Sequence, residues 1–219
     1  MTSITNDALL RARTDRCFSA AFSDSCDRLG LYQQTLPPRL QRLSGQGTIV
    51  GRARTFTSVA VDALPARHYG GEIDFIDSLR PGDIAVGRIE RDAAGWGELF
   101  SAAAVGRGAV GVVLDGLARD LTQVRALGFS LHGIGTRPTD SLGRVSLQLQ
   151  DEPVVIGDVQ VASDDLVVAD DDGVVIVPAE RAVEVLDLAL SKATTERDAK
   201  QLLLDGGTLA EVWERFHVL

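Results

Sequence analysis

The amino-acid sequence predicts an α/β fold, and three observations carry that prediction. Between Ile84 and Ile134, short aliphatic runs alternate with small-residue helical segments, the order that builds a parallel sheet. From Val145 onward the runs shorten and are split by turns, which adds strands of a different style. The 219 residues are 45% hydrophobic but only 5% aromatic, so the core is expected to be Val, Leu, Ala and Ile, which suits helix-on-sheet packing.

The elements follow in order. Residues 5–30 read as helical, with Thr5 or Asn6 capping a first helix and a second running from Phe18 to Leu29, closed by Gly30. Pro37-Pro38 marks an extended connector. Gln46 to Thr57 alternates as a strand does, with Ile49, Ala53 and Phe56 inward, and Val59 to Leu64 forms a strand or turn stopped by Pro65. A turn at Ser78–Asp83 leads into a buried strand at Ile84-Ala-Val-Gly. Glu98 to Arg107 is a helix, Val110 to Leu114 a strand, Leu121 to Leu127 a short helix closed by Gly128, and Phe129 to Ile134 a strand. Five short strands come next, at Val145–Leu149, Val154–Ile156, Val159–Val161, Leu166–Ala169 and Val174–Val177. Asp172-Gly173 is a hairpin signal between the last two. A long helix spans Glu180 to Leu204, Asp205-Gly206-Gly207 breaks it, and Thr208 with Glu211 forms a capping box for a final helix.

No linker or low-complexity block divides the chain, so residues 1–219 are expected to form a single domain. The net charge of −9 argues against nucleic acid as a partner. No run approaches a membrane span, the polar opening residues lack an apolar leader, and two cysteines fit a reducing cytoplasm. Cys17 and Cys26 read as small core residues, and His68, His132 and His217 have no metal-ligand spacing. The run Gly106–Gly111 matches G-x-G-x-x-G, but a helix precedes it and a strand follows, the reverse of a dinucleotide site.

The chemistry concentrates after the strand Val110–Leu114. Asp115, Arg119 and Asp120 lie within six residues of one another, and Glu98 stands twenty-one positions before Arg119. Active groups of α/β proteins gather at the carboxyl ends of such strands. A carboxylate can hold a hard cation, and an arginine can clamp a carboxylate or an enolate. The helix opening at Glu98 presents the amides of Leu99, Phe100 and Ser101 as an anion cradle. Each feature has a plainer reading. Glu98 would complement the helix dipole, Asp120 would cap the helix at Leu121, Arg119 would make a surface ion pair, and Asp115 would shape a turn with Gly116. The acidic run Asp170–Asp172 is expected to be solvated at a hairpin tip.

GELFSAAAVGRGAVGVVLDGLARDL resembles the signature of the family that holds the class II 4-hydroxy-4-methyl-2-oxoglutarate / 4-carboxy-4-hydroxy-2-oxoadipate aldolases and the regulator of ribonuclease activity A. FSDSCDRLG at Phe22–Gly30, GRARTFT at Gly51–Thr57 and DLVVADDDGVVIVP at Asp165–Pro178 are similar to further family segments, so the resemblance covers most of the chain. It implies a β/β/α sandwich of the swivelling type with N-terminal helices and a long C-terminal helix, assembled as trimers or hexamers with the site at a subunit interface. It also implies retro-aldol release of pyruvate from a 4-hydroxy-2-oxoacid, with oxaloacetate decarboxylation through the same enolate. Asp120 would hold Mg²⁺ or Mn²⁺, Glu98 would orient its waters, and a metal-activated water would serve as base. Arg119 would steady the enolate, the amides of Leu99, Phe100 and Ser101 would bind the substrate carboxylate, and Glu196 is the candidate contributed by a neighbouring subunit. The aldolases carry Asp where this chain has Glu98. The full acidic–Arg–Asp set favours catalysis over the alternative, a non-catalytic regulator that binds a ribonuclease.

Overall fold

A computed structural model describes residues 17–90 and 92–218. Its centre is a parallel group of strands. β2 (Ile49–Ala60) runs beside β3 (Asp83–Ile89), β3 beside β5 (Gly111–Ala118), and β5 beside β6 (Ser130–Thr136). The short β4 (Ala94–Trp96) adds to β5, also in parallel. Antiparallel neighbours complete the sheet. β1 (Gln41–Ser44) pairs with β6, β7 (Val145–Gln150) with the far half of β2, and the hairpin of β10 (Leu166–Ala169) and β11 (Val174–Val177) with its near half. A separate hairpin joins β8 (Val154–Ile156) to β9 (Val159–Val161).

The alternation of side chains along β5 shows how the layers arise. Val112 and Leu114 enter a cluster with Phe56, Phe75, Trp96 and Phe129. This cluster lies beneath α2 (Gly70–Asp77), α3 (Glu98–Gly106) and α4 (Leu121–Ala126). Val113, between them, points to the other face and joins Ile84, Val86, Ile156 and Ile176, where the β8–β9 hairpin supplies the cover. A strand buried on both faces therefore reads as a continuous aliphatic run. The result is helices on one face and a second β layer on the other, the β/β/α arrangement with a curled sheet. A third cluster seats α1 (Ser19–Arg28) and the long α5 (Ala182–Leu204) on β10 and β11 through Phe22, Leu166, Val175 and Val185. Each such aliphatic side chain contributes roughly 1.5–3 kcal/mol on burial. Gly87 on β3 has a steric reason, since a Cβ there would lie 2.3 Å from two carbons of the Phe56 ring. The final helix α6 (Leu209–Phe216) opens with the expected capping box, Glu211 N–H donating to Thr208 Oγ1 at 3.2 Å and Thr208 N–H to Glu211 Oε2 at 2.6 Å.

Several expectations need correction. The Gln46–Thr57 strand extends to Ala60 and takes up the segment read as a second strand or turn. β5 continues four residues beyond Leu114, so Gly116 is not a turn glycine. It makes room for Ile89, whose Cβ would lie 2.8 Å from a Cβ at Gly116. Asp115 accordingly sits inside the strand and is held by Arg39 at 3.0 Å. Gln41–Ser44, Gly70–Asp77 and Ala94–Trp96 were not anticipated as elements. The first predicted helix, with Thr5 and Asn6, lies outside the described residues. Cys17 and Cys26 are buried, and burial pushes the Cys26 thiol up to about 11. Among the described residues no helix is long and apolar enough to cross a membrane.

Candidate active site

A cavity of about 400 Å³ opens beside the carboxyl end of β5. Four pieces of chain build it: Tyr69 and Ile73 at the start of α2, β4 with the first turn of α3, Arg119-Asp120 after β5, and Asp140-Ser141 before β7. Two backbone bonds draw these pieces together. Arg119 N–H donates to the Trp96 carbonyl and Ala94 N–H to the Thr139 carbonyl, each at 2.9 Å. The sequence-predicted Glu98, Leu99, Phe100, Arg119 and Asp120 all line the cavity.

Asp120 occupies the N-cap position of α4 in a left-handed conformation, φ 59° and ψ 34°, and makes no side-chain cap bond. The capping reading is therefore corrected. Its Oδ2 instead accepts from the Glu98 amide at 3.3 Å and lies 3.5 Å from Arg119 Nε. The left-handed region is unfavourable for a residue with a side chain, and aspartate tolerates it better than most. Gly97 leaves space for this placement, because a Cβ there would sit 2.6 Å from Asp120 Oδ2 and 3.1 Å from Arg119 Cγ.

Arg119 is fixed from two sides. Besides Asp120, it meets Asp140 through Nη1 at 3.1 Å. The other Asp140 oxygen accepts from the Tyr69 hydroxyl at 2.6 Å. Burial by itself would raise the Asp140 carboxyl, but the Tyr69 hydroxyl and the Arg119 guanidinium outweigh it and hold the group below the ordinary carboxylate value. Tyr69 moves the other way. Burial raises its phenol first, and the bond to Asp140 and that carboxylate's charge add to the rise. Tyr69 and Asp140 were missed in the sequence, where neither carried a motif.

The first turn of α3 divides its amides. Ser101 N–H is already given to the Gly97 carbonyl at 3.0 Å, and Glu98 N–H to Asp120. The N-terminal amides of Leu99 and Phe100 remain for a ligand, since a helix start offers them no internal acceptor. Ser101 itself is fully buried, donating through Oγ to the Gly97 carbonyl and accepting from the Trp96 indole at 3.0 Å. It shapes the turn, which corrects its place in the anion cradle. Trp96 is buried and stacks on Phe129, with ring centroids 6.3 Å apart. Glu196 lies on α5, outside the cavity lining, and pairs with Lys192 at 2.9 Å. Among the described residues no group of three or more His, Cys, Asp or Glu is arranged as a metal cage.

Comparison with known proteins identifies relatives of the chain as a whole. The sequence is 27% identical over 193 residues to a Halalkalibacterium halodurans protein provisionally named as a 4-hydroxy-4-methyl-2-oxoglutarate aldolase, covering 85% of each chain. It is 27% identical over 208 residues to protein DlpA of Legionella pneumophila, covering 91% of this chain but only 32% of that one, so it spans about a third of DlpA. Among solved structures, RraAS2 of Streptomyces coelicolor, described as an unusual member of the RNase ES inhibitor RraA family, superposes with TM-score 0.76 at 27% identity, covering 91% of this chain and 98% of that one. The profile of the RraA-like family, described as Aldolase/RraA, matches residues 19–176, and the chain belongs to that family.

Proposed function

We propose that this protein is a lyase, a divalent-metal-dependent class II aldolase that cleaves a 4-hydroxy-2-oxoacid such as 4-hydroxy-4-methyl-2-oxoglutarate to pyruvate and a second carbonyl compound, with oxaloacetate decarboxylation as a side activity. The observation that carries the reading is Asp120, turned away from its capping role and set beside Arg119 at a cavity with two amide donors. The donor set suits Mg²⁺ or Mn²⁺. Such cations are commonly held by one or two carboxylates, with waters and substrate oxygens completing the shell. Asp120 would be the direct ligand and Glu98 would act through water; a bound cation supplies positive charge where the departing pyruvate develops negative charge.

The chain's own residues do the rest. The amides of Leu99 and Phe100 bind the substrate carboxylate at the positive end of α3. Arg119, its orientation set by Asp140, neutralises charge on the C2 oxygen. Tyr69 fixes Asp140 in turn, so the guanidinium is positioned before substrate arrives. In the cleavage the C3–C4 bond breaks and its electron pair passes toward C2. The C4 hydroxyl loses its proton as a carbonyl forms there, and C3 regains one to give pyruvate. The reading also expects assembly as a homotrimer or homohexamer in the cytoplasm, with Glu196 as a candidate contribution from a neighbouring subunit.

A second reading has one supporting observation, the likeness to RraAS2. It is non-catalytic regulation of a ribonuclease by protein binding. One assay separates them, pyruvate release from oxaloacetate and from 4-hydroxy-4-methyl-2-oxoglutarate with Mg²⁺ and then with EDTA. Release that EDTA abolishes supports the lyase. No release from either, together with tight binding to a ribonuclease, supports the regulator.

A further inference from the structure

We infer that a cleft at the opposite end of the sheet from the candidate active site binds a phosphate-type oxyanion, either free phosphate or the phosphate group of a small ester. The cleft measures about 630 Å³ and lies where β1 meets the start of β6. Arg42 and Ser44 of β1 line it, with Gly45 in the turn that follows, Gly128 before β6 and Arg125 near the end of α4. Two guanidiniums therefore border it, and among the described residues no carboxylate belongs to its lining. In a chain of net charge −9, a lining of that sign favours an anion. The cleft shares no lining residue with the candidate active site, which sits at the carboxyl ends of the same parallel strands.

Groups that this chain buries by itself supply an independent reason. Arg42 Nε, Ser44 Oγ and Ser130 Oγ are buried, can each donate a hydrogen bond, and have no partner. All three belong to the β1–β6 pair. Buried polar atoms are nearly always bonded, so a cluster of unpaired donors marks a place for a bound group. Ser44 is 4% exposed and lines the cleft. Ser130 stands directly behind the rim, since a Cβ at Gly45 would come within 3.0 Å of Ser130 Oγ. A fourth unpartnered atom, His132 Nδ1, only accepts and lies outside the cleft lining. The Arg42 side chain is 9% exposed, yet the carboxylate it meets, Asp171 at 3.0 Å, is 83% exposed. Buried charges are ordinarily paired with buried partners, and solvent weakens the pairing to Asp171. One Arg42 Nη donates to the Gly47 carbonyl, which leaves Nε for an incoming oxygen. Arg125 is anchored through Nε to the Leu43 carbonyl at 3.1 Å, which leaves its Nη groups to donate. A tetrahedral dianion has the charge and the spread of acceptor oxygens to take bonds from both arginines and Ser44 together.

The test follows backbone amide resonances of the full chain, without added metal and at constant ionic strength, as inorganic phosphate or glycerol 3-phosphate is added. The amides of Gly45, Gln46 and Gly128 report on the cleft, and those of Gly97 and Leu99 on the candidate active site. We expect saturable shifts at the cleft. Tighter binding of the ester assigns a phosphorylated metabolite, tighter inorganic phosphate assigns the free ion, and equal affinities leave the phosphate group itself as what is recognised; each supports the inference. Arg125→Gln, at an exposed position, should raise the dissociation constant about tenfold. Ser44→Ala serves in its place if that variant does not fold. The inference is overturned by any of four results: no saturable shift at the cleft, saturable shifts at Gly97 and Leu99 alone, acetate binding at the cleft as tightly as phosphate, or unchanged affinity in the folded variant.

Discussion

Asp120 and Asp170 are both aspartates placed where a strand gives way to a turn, and the chain treats them oppositely. Asp170 is 8% exposed and saturated. Its carboxylate accepts from the Ser19 amide at 2.7 Å, the Ser19 hydroxyl at 2.6 Å, the Asp172 amide at 3.1 Å and the Thr48 hydroxyl at 3.4 Å. It ties α1 to the β10–β11 hairpin across 151 positions of sequence. Asp120 has a side chain 40% exposed, one long amide bond and a neighbouring guanidinium. A carboxylate whose lone pairs are all used holds the fold; one with lone pairs to spare can bind a ligand. The expectation that Asp170–Asp172 would be solvated is thus wrong at its first member and right at the other two, which are exposed.

Four experiments break or sharpen that contrast. Asp120→Ala should lower metal-dependent pyruvate release by about 10³-fold, the scale of losing a main electrostatic group in the transition state. Its stability should fall by only about 1 kcal/mol, because alanine tolerates the left-handed backbone there less well than aspartate. Full turnover in that variant would remove Asp120 as the metal ligand. Asp170→Ala should do the reverse, costing about 2–4 kcal/mol in urea unfolding because buried donors lose their acceptor, while turnover per folded molecule holds. Gly97→Ala needs no unusual backbone, since its φ of −158° is extended, yet its methyl would crowd Asp120 Oδ2. A fall of about tenfold in kcat with an unchanged melting temperature would show that carboxylate placement matters.

The smallest effect concerns His132, fully buried with its Nε2 3.0 Å from the Asp170 carbonyl. A carbonyl only accepts, so Nε2 carries the proton, and Nδ1 has no hydrogen-bond partner. Desolvation first, with Arg42 adding, pushes the imidazole below its ordinary 6.5 against the raising effect of Asp170. Its contribution to stability is therefore complete above pH 6.5 and declines as pH falls from there toward the folded value, where the unfolded chain takes up the proton more readily. Melting measured from pH 7.5 to 5 should show this decline in the wild type and a flatter profile in His132→Gln. Identical slopes would reject the assignment.

The legible part of the site was the part carried by local pattern. Arg119-Asp120 follows an aliphatic strand, and Glu98 opens a helix, so strand and helix signals placed all three. Tyr69 and Asp140 sit in loops without periodicity, 71 positions apart, and meet only because β4 bridges to Asp140 while α2 starts at Tyr69. Sequence patterns report which face of an element is buried, not which loops converge. The fold divides in the same way. Central strands with apolar residues on both faces were readable, whereas the polar edge strand β1 and the three-residue β4 have too little apolar surface to signal themselves. Gly116 misled because a glycine that makes room for Ile89 looks, in one dimension, like a glycine that turns the chain.

The indole of Trp96 gives the protein an optical reporter. The chain has two tryptophans, and they occupy opposite environments: Trp96 is 2% exposed on the cavity wall, and Trp213 is 53% exposed on α6. Emission should therefore separate into a blue component that iodide does not quench and a red one that it does. A ligand entering beside Arg119 would perturb the first and spare the second, so occupancy can be followed in real time without a label. Replacing Trp213 with Phe would leave a single-tryptophan protein whose whole signal comes from the cavity wall.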